Sequence, residues 1–181
     1  MHGLVSLLDE KHTQKTKEIW QTLKEKCRFG GIDSTPFPHF SWLIAEDFNW
    51  PALKKCMEEI AAETHPFTVQ TNGLGIFSGY LPVIYIPLVR TEALSKLHRL
   101  IWESTQEIRT NIVSYYAPEN WTPHITLAYE DIKRGNISCA MQKLAFQNFK
   151  WKFEVDNLSF IQQEDDVIGQ MQSKFKFKGS K

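Results

Sequence analysis

The sequence has no excess of charge of either sign: 21 Lys and Arg balance 21 Asp and Glu over 181 residues. No global basic field exists to hold a long duplex by counterion release, so a nucleic-acid substrate should be short or engaged locally. Cysteine is scarce. Cys27, Cys56 and Cys139 are odd in number, widely spaced and free of any CxxC, which argues against a disulfide framework and a zinc knuckle and favours a reducing compartment. Long apolar runs are missing as well. The segment MHGLVSLLDEKH holds only about five apolar residues before charges begin, too few for a signal h-region or a spanning helix. A soluble, cytoplasmic protein is expected. No HExxH or HxH occurs, and Glu164, Asp165 and Asp166 read as a polar hairpin between the last two strands, so neither a metal nor another cofactor is expected. The Asn72-Gly73-Leu74-Gly75 stretch lacks the spacing of a phosphate loop and a following helix, and reads as a turn or bulged strand.

What is present is the composition of a packed protein: 42% hydrophobic and 13% aromatic residues, with six Trp and twelve Phe. The length suits one domain or two small lobes sharing a core. Apolar periodicity predicts strands at Gly3–Leu8, His39–Ala45, Phe67–Gln70, Leu74–Phe77, Val83–Val89, His124–Tyr129, Lys152–Ile161 and Ile168–Phe177. Helices are expected over Asp9–Phe29, Trp50–Thr64, Glu92–Ile108 and Ser138–Phe149. The order repeats, and so do the letters. Pro38-His39-Phe40-Ser41 is matched by Pro123-His124-Ile125-Thr126, and Phe67-Thr68-Val69 by Phe153-Glu154-Val155. The expected fold is a single bilobal α+β domain over residues 1–181, a pseudo-twofold duplication in which each lobe is an antiparallel sheet with helices on its outer face and a catalytic cleft lies between.

Period-two geometry puts His39 and Ser41 on one strand face with Phe40, Trp42 and Ile44 on the other, and His124 and Thr126 opposite Ile125, Leu127 and Tyr129. If helices cover the bulky faces, two imidazoles and two hydroxyls converge on the cleft. That set suits a phosphodiester: one imidazole takes a proton from water, the other gives one to the leaving alkoxide, and the hydroxyls donate to the non-bridging oxygens. A single His-x-Ser/Thr tripeptide is weak evidence, since an isolated strand histidine is more often structural. Two copies, each after a proline and at the start of a strand, are much less easily accidental.

These paired motifs, 85 positions apart, resemble the signatures of the 2H phosphoesterase superfamily, in particular its 2′-5′ RNA ligase and cyclic phosphodiesterase branch. The resemblance covers nearly the whole chain. It implies His39 as proton donor, His124 as proton acceptor, Ser41 and Thr126 as phosphate-binding hydroxyls, and no metal. It leaves open which of 2′,3′-cyclic phosphates, 2′-5′ linkages, ADP-ribose cyclic phosphate or RNA ends is the substrate.

Among the aromatics, Tyr80 in the turn Ser78–Leu81 is the expected base-stacking residue, whereas strand parity assigns Trp42 and Tyr129 to the core. Arg90 and Arg109 are available to pair with phosphate, or are simply solvated at element ends. The tail from Lys174 to Lys181, with Phe175 and Phe177 interleaved, reads as an RNA contact or as an amphipathic edge strand. The remaining histidines, His2, His12, His65 and His98, read as exposed or structural. A nucleotide or short RNA is the expected partner of a monomer that touches no membrane. The rival reading is a non-catalytic RNA- or nucleotide-binding protein using the same cleft, which would tolerate loss of either imidazole.

Overall fold

Helix starts are written locally. Asp9 accepts a hydrogen bond from the His12 amide, Asn49 from Ala52 and Thr91 from Leu94, each satisfying one amide that the first helical turn leaves free. In the computed structural model, which describes residues 1–163 and 168–179, these caps open α1 (Glu10–Cys27), α2 (Trp50–Glu63) and α3 (Glu92–Ser104). A shorter helix, α4, spans Ile137–Leu144. The run at Glu164 to Asp166, expected to be a hairpin, lies outside the described residues.

The strands are β1 (His2–Leu7), β2 (His39–Phe48), β3 (Phe67–Gln70), β4 (Gly75–Phe77), β5 (Val83–Pro87), β6 (Arg109–Ile112), β7 (His124–Ala128), β8 (Lys152–Val155), β9 (Asn157–Gln162) and β10 (Gln170–Lys176). The fold is α+β and its pairings are antiparallel: an eight-stranded sheet ordered β10-β9-β1-β2-β7-β5-β4, with β6 on the far end of β2, and a small sheet of β3 and β8. The two halves meet where Phe40 faces Ile125 and where Thr68 faces Glu154. In both places the matching residues of the two sequence repeats face each other. One apolar core, including Phe40, Trp42, Ile125 and Leu127 from the motif strands and Leu23, Leu53 and Leu94 from the helices, lies on the face away from the histidines.

Three sequence expectations change in the fold. The predicted strand from Lys152 to Ile161 breaks at Asp156, and its halves join different sheets. The break is set by the buried Asn157, whose side chain accepts from the Leu7 amide at 2.9 Å and donates to the Leu7 carbonyl at 3.0 Å. An amide in that position extends the β1 ladder as a peptide would. The helix expected to run to Ile108 ends at Ser104 and is followed by a 3-10 turn and the short, polar β6, which period-two reading passes over. Third, Cys27 and Cys139 form a disulfide across 112 residues. The end of α1 packs against α4, and this contact, invisible in the spacing, brings the two Cα atoms to 5.7 Å. Of the cysteines only Cys56 is free, so the cysteine pattern lends no support to a reducing compartment. None of the described helices is long and apolar enough to cross a membrane.

Candidate active site

Each motif begins with a proline, and the proline's neighbours fix the histidine that follows. The Pro38 carbonyl accepts from the Leu8 amide at 3.2 Å and the Pro123 carbonyl from Leu88 at 2.9 Å. One residue earlier, the Phe37 carbonyl meets His39 Nδ1 at 2.5 Å and the Thr122 carbonyl meets His124 Nδ1 at 2.7 Å. A carbonyl can only accept, so Nδ1 carries the hydrogen in both rings, and in the neutral form Nε2 is left with a free lone pair. The two imidazoles are thus oriented alike, by the same device.

The register Phe40 to Ile125, carried one residue each way, sets His39 across from Thr126 and Ser41 across from His124. Directly opposed side chains on adjacent strands stand about 5 Å apart at Cβ, so the two histidines and the two hydroxyls form one diagonal array. All four are half-buried, while Phe40 and Ile125 between them are fully buried. Burial pushes the His39 imidazole down to about 4; the Phe37 carbonyl acts against this and the neighbouring His124 adds to it. Burial also lowers His124, opposed by the Thr122 carbonyl. Desolvation disfavours the charged form, so both rings rest neutral near pH 7. Reference values near 6.5 would have left each about one quarter protonated there.

Both motif strands then break register at the same place. Leu4 pairs with Leu43 but Val5 with Ser41, leaving Trp42 as an extra residue; Ile84 pairs with Ala128 but Tyr85 with Thr126, leaving Leu127 as one. A bulge of this kind resets the alternation of side chains. It corrects two assignments made from parity. Leu43 and Ala45 join Phe40 and Trp42 in the core, whereas Ile44 is half-buried. Tyr129, placed by parity in the core, is half-buried and neighbours the half-buried Tyr116, whose phenol is pushed up to about 12 by desolvation and has the Ser41 hydroxyl as its hydrogen-bonding neighbour. Trp42 is fully buried as expected, its indole donating to Ser6 Oγ at 2.8 Å.

The rings placed beside His124 are those of Phe77 and Tyr85, and Tyr80 lies farther out on the same hairpin. Tyr80 is 98% exposed at the tip of the β4–β5 hairpin. Phe77 and Tyr85, from the strands of that hairpin, stack on each other with centroids 4.0 Å apart and lie 4.9 and 5.1 Å from the His124 ring. Gly75 makes this possible, since a Cβ there would come within 2.4 Å of the Tyr85 ring. No local signal marked these rings: Tyr85 opposes Thr126 in register, and that pairing follows only once the order of strands is known.

Arg90 is exposed and Arg109 half-buried, and the hydrogen bonds of both go to neighbouring backbone and hydroxyl groups rather than to the motif residues. Arg90 donates to the Trp121 carbonyl at 3.1 Å and the Pro118 carbonyl at 2.5 Å, holding the loop that delivers His124. Arg109 donates to the Trp102 carbonyl at 2.9 Å and Thr105 Oγ1 at 2.8 Å. A surface hollow of about 540 Å³ beside Arg90, bounded also by Arg99, Trp102, Glu103 and Glu119, contains none of the four motif side chains. His12 and His98 are buried and structural, and His65 is exposed. Asn72–Leu74 bends into β4, with Gly73 at φ 79° and Gly75 opening the strand. From Gln170 to Lys176 the tail is an edge strand with alternating exposure; its last two residues lie outside the described ones. Among the described residues no group of three or more His, Cys, Asp or Glu is placed to hold a metal ion.

The model of the 2′-5′ RNA ligase superfamily matches residues 11–167. The chain belongs to that superfamily. It is the 2H phosphoesterase grouping that the paired motifs resemble, and the matched span contains both motifs. A curated relative in Oceanobacillus iheyensis, OB1230, named as a candidate phosphoesterase, is 25% identical over 132 residues, 71% of this chain and 73% of that protein. The crystal structure of TT0787 of Thermus thermophilus superposes with a TM-score of 0.73 at 16% identity, covering 99% of each chain. E. coli LigT complexed with 3′-AMP superposes with a TM-score of 0.61 at 12% identity, covering 98% of this chain and 97% of that one. At these identities the two structures show a shared fold.

Proposed function

We propose that this member of the 2′-5′ RNA ligase superfamily hydrolyses 2′,3′-cyclic phosphates or 2′-5′ type phosphodiester bonds of nucleotides or RNA ends, by two-histidine acid–base catalysis without a metal. The observation that carries the proposal is the pair of imidazoles with Nδ1 tied to the carbonyls of Phe37 and Thr122 and Nε2 unengaged, flanked by Ser41 and Thr126. His124 Nε2 takes the proton of a water as its oxygen bonds to phosphorus. The bond to the leaving oxygen breaks, and His39 Nε2 delivers a proton to that oxygen, giving a phosphomonoester and a free hydroxyl. The hydroxyls of Ser41 and Thr126 donate to the non-bridging oxygens as charge grows on them.

Burial holds His39 neutral, so its Nε2 takes up a proton from solvent as the anionic substrate binds. The monoanionic phosphodiester opposes the desolvation that lowers the imidazole, and draws the acid form into the site. A nucleobase or ribose attached to the phosphate has the stacked Phe77–Tyr85 pair within reach beside His124. Base–aromatic stacking contributes about 1 to 3 kcal/mol where it forms. These features favour turnover over a purely binding role, because binding alone does not call for two imidazoles held in one tautomer.

The test is hydrolysis of 2′,3′-cyclic nucleotides and 2′-5′-linked dinucleotides by the parent, His39→Ala and His124→Ala, each after dialysis against EDTA. Each variant should lose about 10² to 10⁴ in rate with unchanged circular dichroism. Near-parental activity of either variant, or loss of parental activity in EDTA with recovery on adding Mg²⁺ or Mn²⁺, overturns the mechanism. Binding of these nucleotides without turnover, unaffected by either substitution, would establish the binding-protein alternative.

A further inference from the structure

The two bulges that follow the histidine motifs share a feature that the acid–base scheme does not use. At each one, the carbonyl of the hydroxyl-bearing residue accepts a hydrogen bond from an indole. Trp121 Nε1 donates to the Ser41 carbonyl at 3.0 Å, and Trp20 Nε1 donates to the Thr126 carbonyl at 3.0 Å. The two tryptophans come from unrelated places, Trp20 from α1 and Trp121 from the turn before β7, and they do not correspond in the sequence repeat. Two different routes therefore end in the same contact.

A bulge gives up ladder pairing at the residue it inserts, so the peptide beside it needs another partner to hold its plane. An indole N–H can donate and cannot accept, which suits a bare carbonyl. Trp121 is itself fixed: 2% exposed, stacked on His98 at 3.8 Å and on Trp42 at 5.4 Å, with its carbonyl held by Arg90. His98 Nε2 in turn meets the Trp42 carbonyl at 3.0 Å, so both successive carbonyls of the β2 bulge are held by side chains.

We infer that Trp20 and Trp121 are positioning residues, each fixing through its N–H the peptide plane from which Thr126 or Ser41 aims its hydroxyl at the phosphoryl oxygens. The inference rests on the phosphodiesterase reading above. The orientation of the Ser41 and Thr126 Cα–Cβ bonds follows the peptide planes next to them, and a misplacement of about 1 Å at a reacting group costs on the order of 10²-fold in rate.

The test is a pair of double-mutant cycles on hydrolysis of 2′,3′-cyclic AMP and a 2′-5′-linked diadenylate. Trp121→Phe and Trp20→Phe each keep an aromatic ring and remove the donor, and Trp50→Phe serves as a control. Each of the first two should lower kcat about 10- to 100-fold with KM within about threefold of the parent. In a Ser41→Ala background Trp121→Phe should cost less than threefold, and in a Thr126→Ala background the same should hold for Trp20→Phe. The crossed pairs should stay multiplicative. Should a phenylalanine variant fail to fold, 3-benzothienylalanine at the same position replaces only the N–H by sulfur and reads the same quantity. Multiplicative losses in the matched pairs, or an unchanged kcat in the donor-free variants, overturn the positioning role while leaving the two-histidine mechanism in place. A parent inactive on both probes, or full activity in His39→Ala, overturns the mechanism and this inference together.

Discussion

Acidifying the protein from pH 7 to pH 5 should cost it about 2 kcal/mol of stability through His98 alone. This ring is fully buried between Trp121 and the back of β2. Its Nε2 is bound to the Trp42 carbonyl, and its Nδ1 is buried without a well-formed hydrogen bond to receive an added proton. Burial lowers the imidazole from 6.5 to about 4; the backbone of Trp42 and Tyr116 opposes this, and the nearby Arg90 and Arg109 charges reinforce it. The sign follows from linkage. The unfolded chain takes up the proton first, so stability is full above 6.5, falls as pH drops toward 4, and levels below that. With those two values the loss from pH 7 to 5 is about 2 kcal/mol, and the full loss about 3 kcal/mol. Urea unfolding of the parent and of His98→Gln at both pH values isolates the contribution, since other titrating groups are common to both. Glutamine keeps an N–H donor for the Trp42 carbonyl but does not titrate. The variant should lose about 2 kcal/mol less than the parent on acidification. Equal losses in the two proteins, within about 0.5 kcal/mol, would refute the buried neutral imidazole.

The lowered values of His39 and His124 should centre the bell-shaped profile of kcat/KM below pH 6.5, with the profile of kcat displaced upward by the bound anion; coincident profiles centred at or above pH 7 would contradict the burial argument. Reducing the Cys27–Cys139 bond, or replacing Cys139 by Ser, removes a crosslink across 112 residues, and the loop-entropy relation puts the destabilisation at up to about 5 kcal/mol, readable in thermal melts with and without reductant. Chromogenic phosphodiesters with good leaving groups should restore part of the activity of His39→Ala and little of that of His124→Ala, because an activated leaving group replaces the acid and not the base; rescue of His124→Ala alone would exchange the two roles.

The sequence by itself determined most of the elements and which hydroxyl shares a strand face with each motif histidine. Helix caps and apolar spacing are local properties, so α1, α2 and most strands lie within a few residues of where periodicity places them. The duplicated Pro-His-x-Ser/Thr motif was legible for the same reason: proline fixes the backbone at the strand entry, and alternation over three residues carries His39 with Ser41 and His124 with Thr126. Parity held only as far as the pairing stayed regular. A bulge depends on the partner strand, so the tertiary structure decided that Tyr129 leaves the core and that Leu43 and Ala45 enter it. It also decided every contact between residues far apart in the chain. Trp20 and Thr126 are separated by 106 positions and Trp121 and Ser41 by 80, and nothing local marks an indole for a distant carbonyl. Cys27 and Cys139 were opaque for the same reason, whereas the stack of Phe77 on Tyr85 is local but needs both the β4–β5 register and the absence of a side chain at Gly75. The protonation of the site was the last thing to be set, because an imidazole's affinity for a proton depends on the water that folding removes, and that is a property of the assembled cleft rather than of the motif.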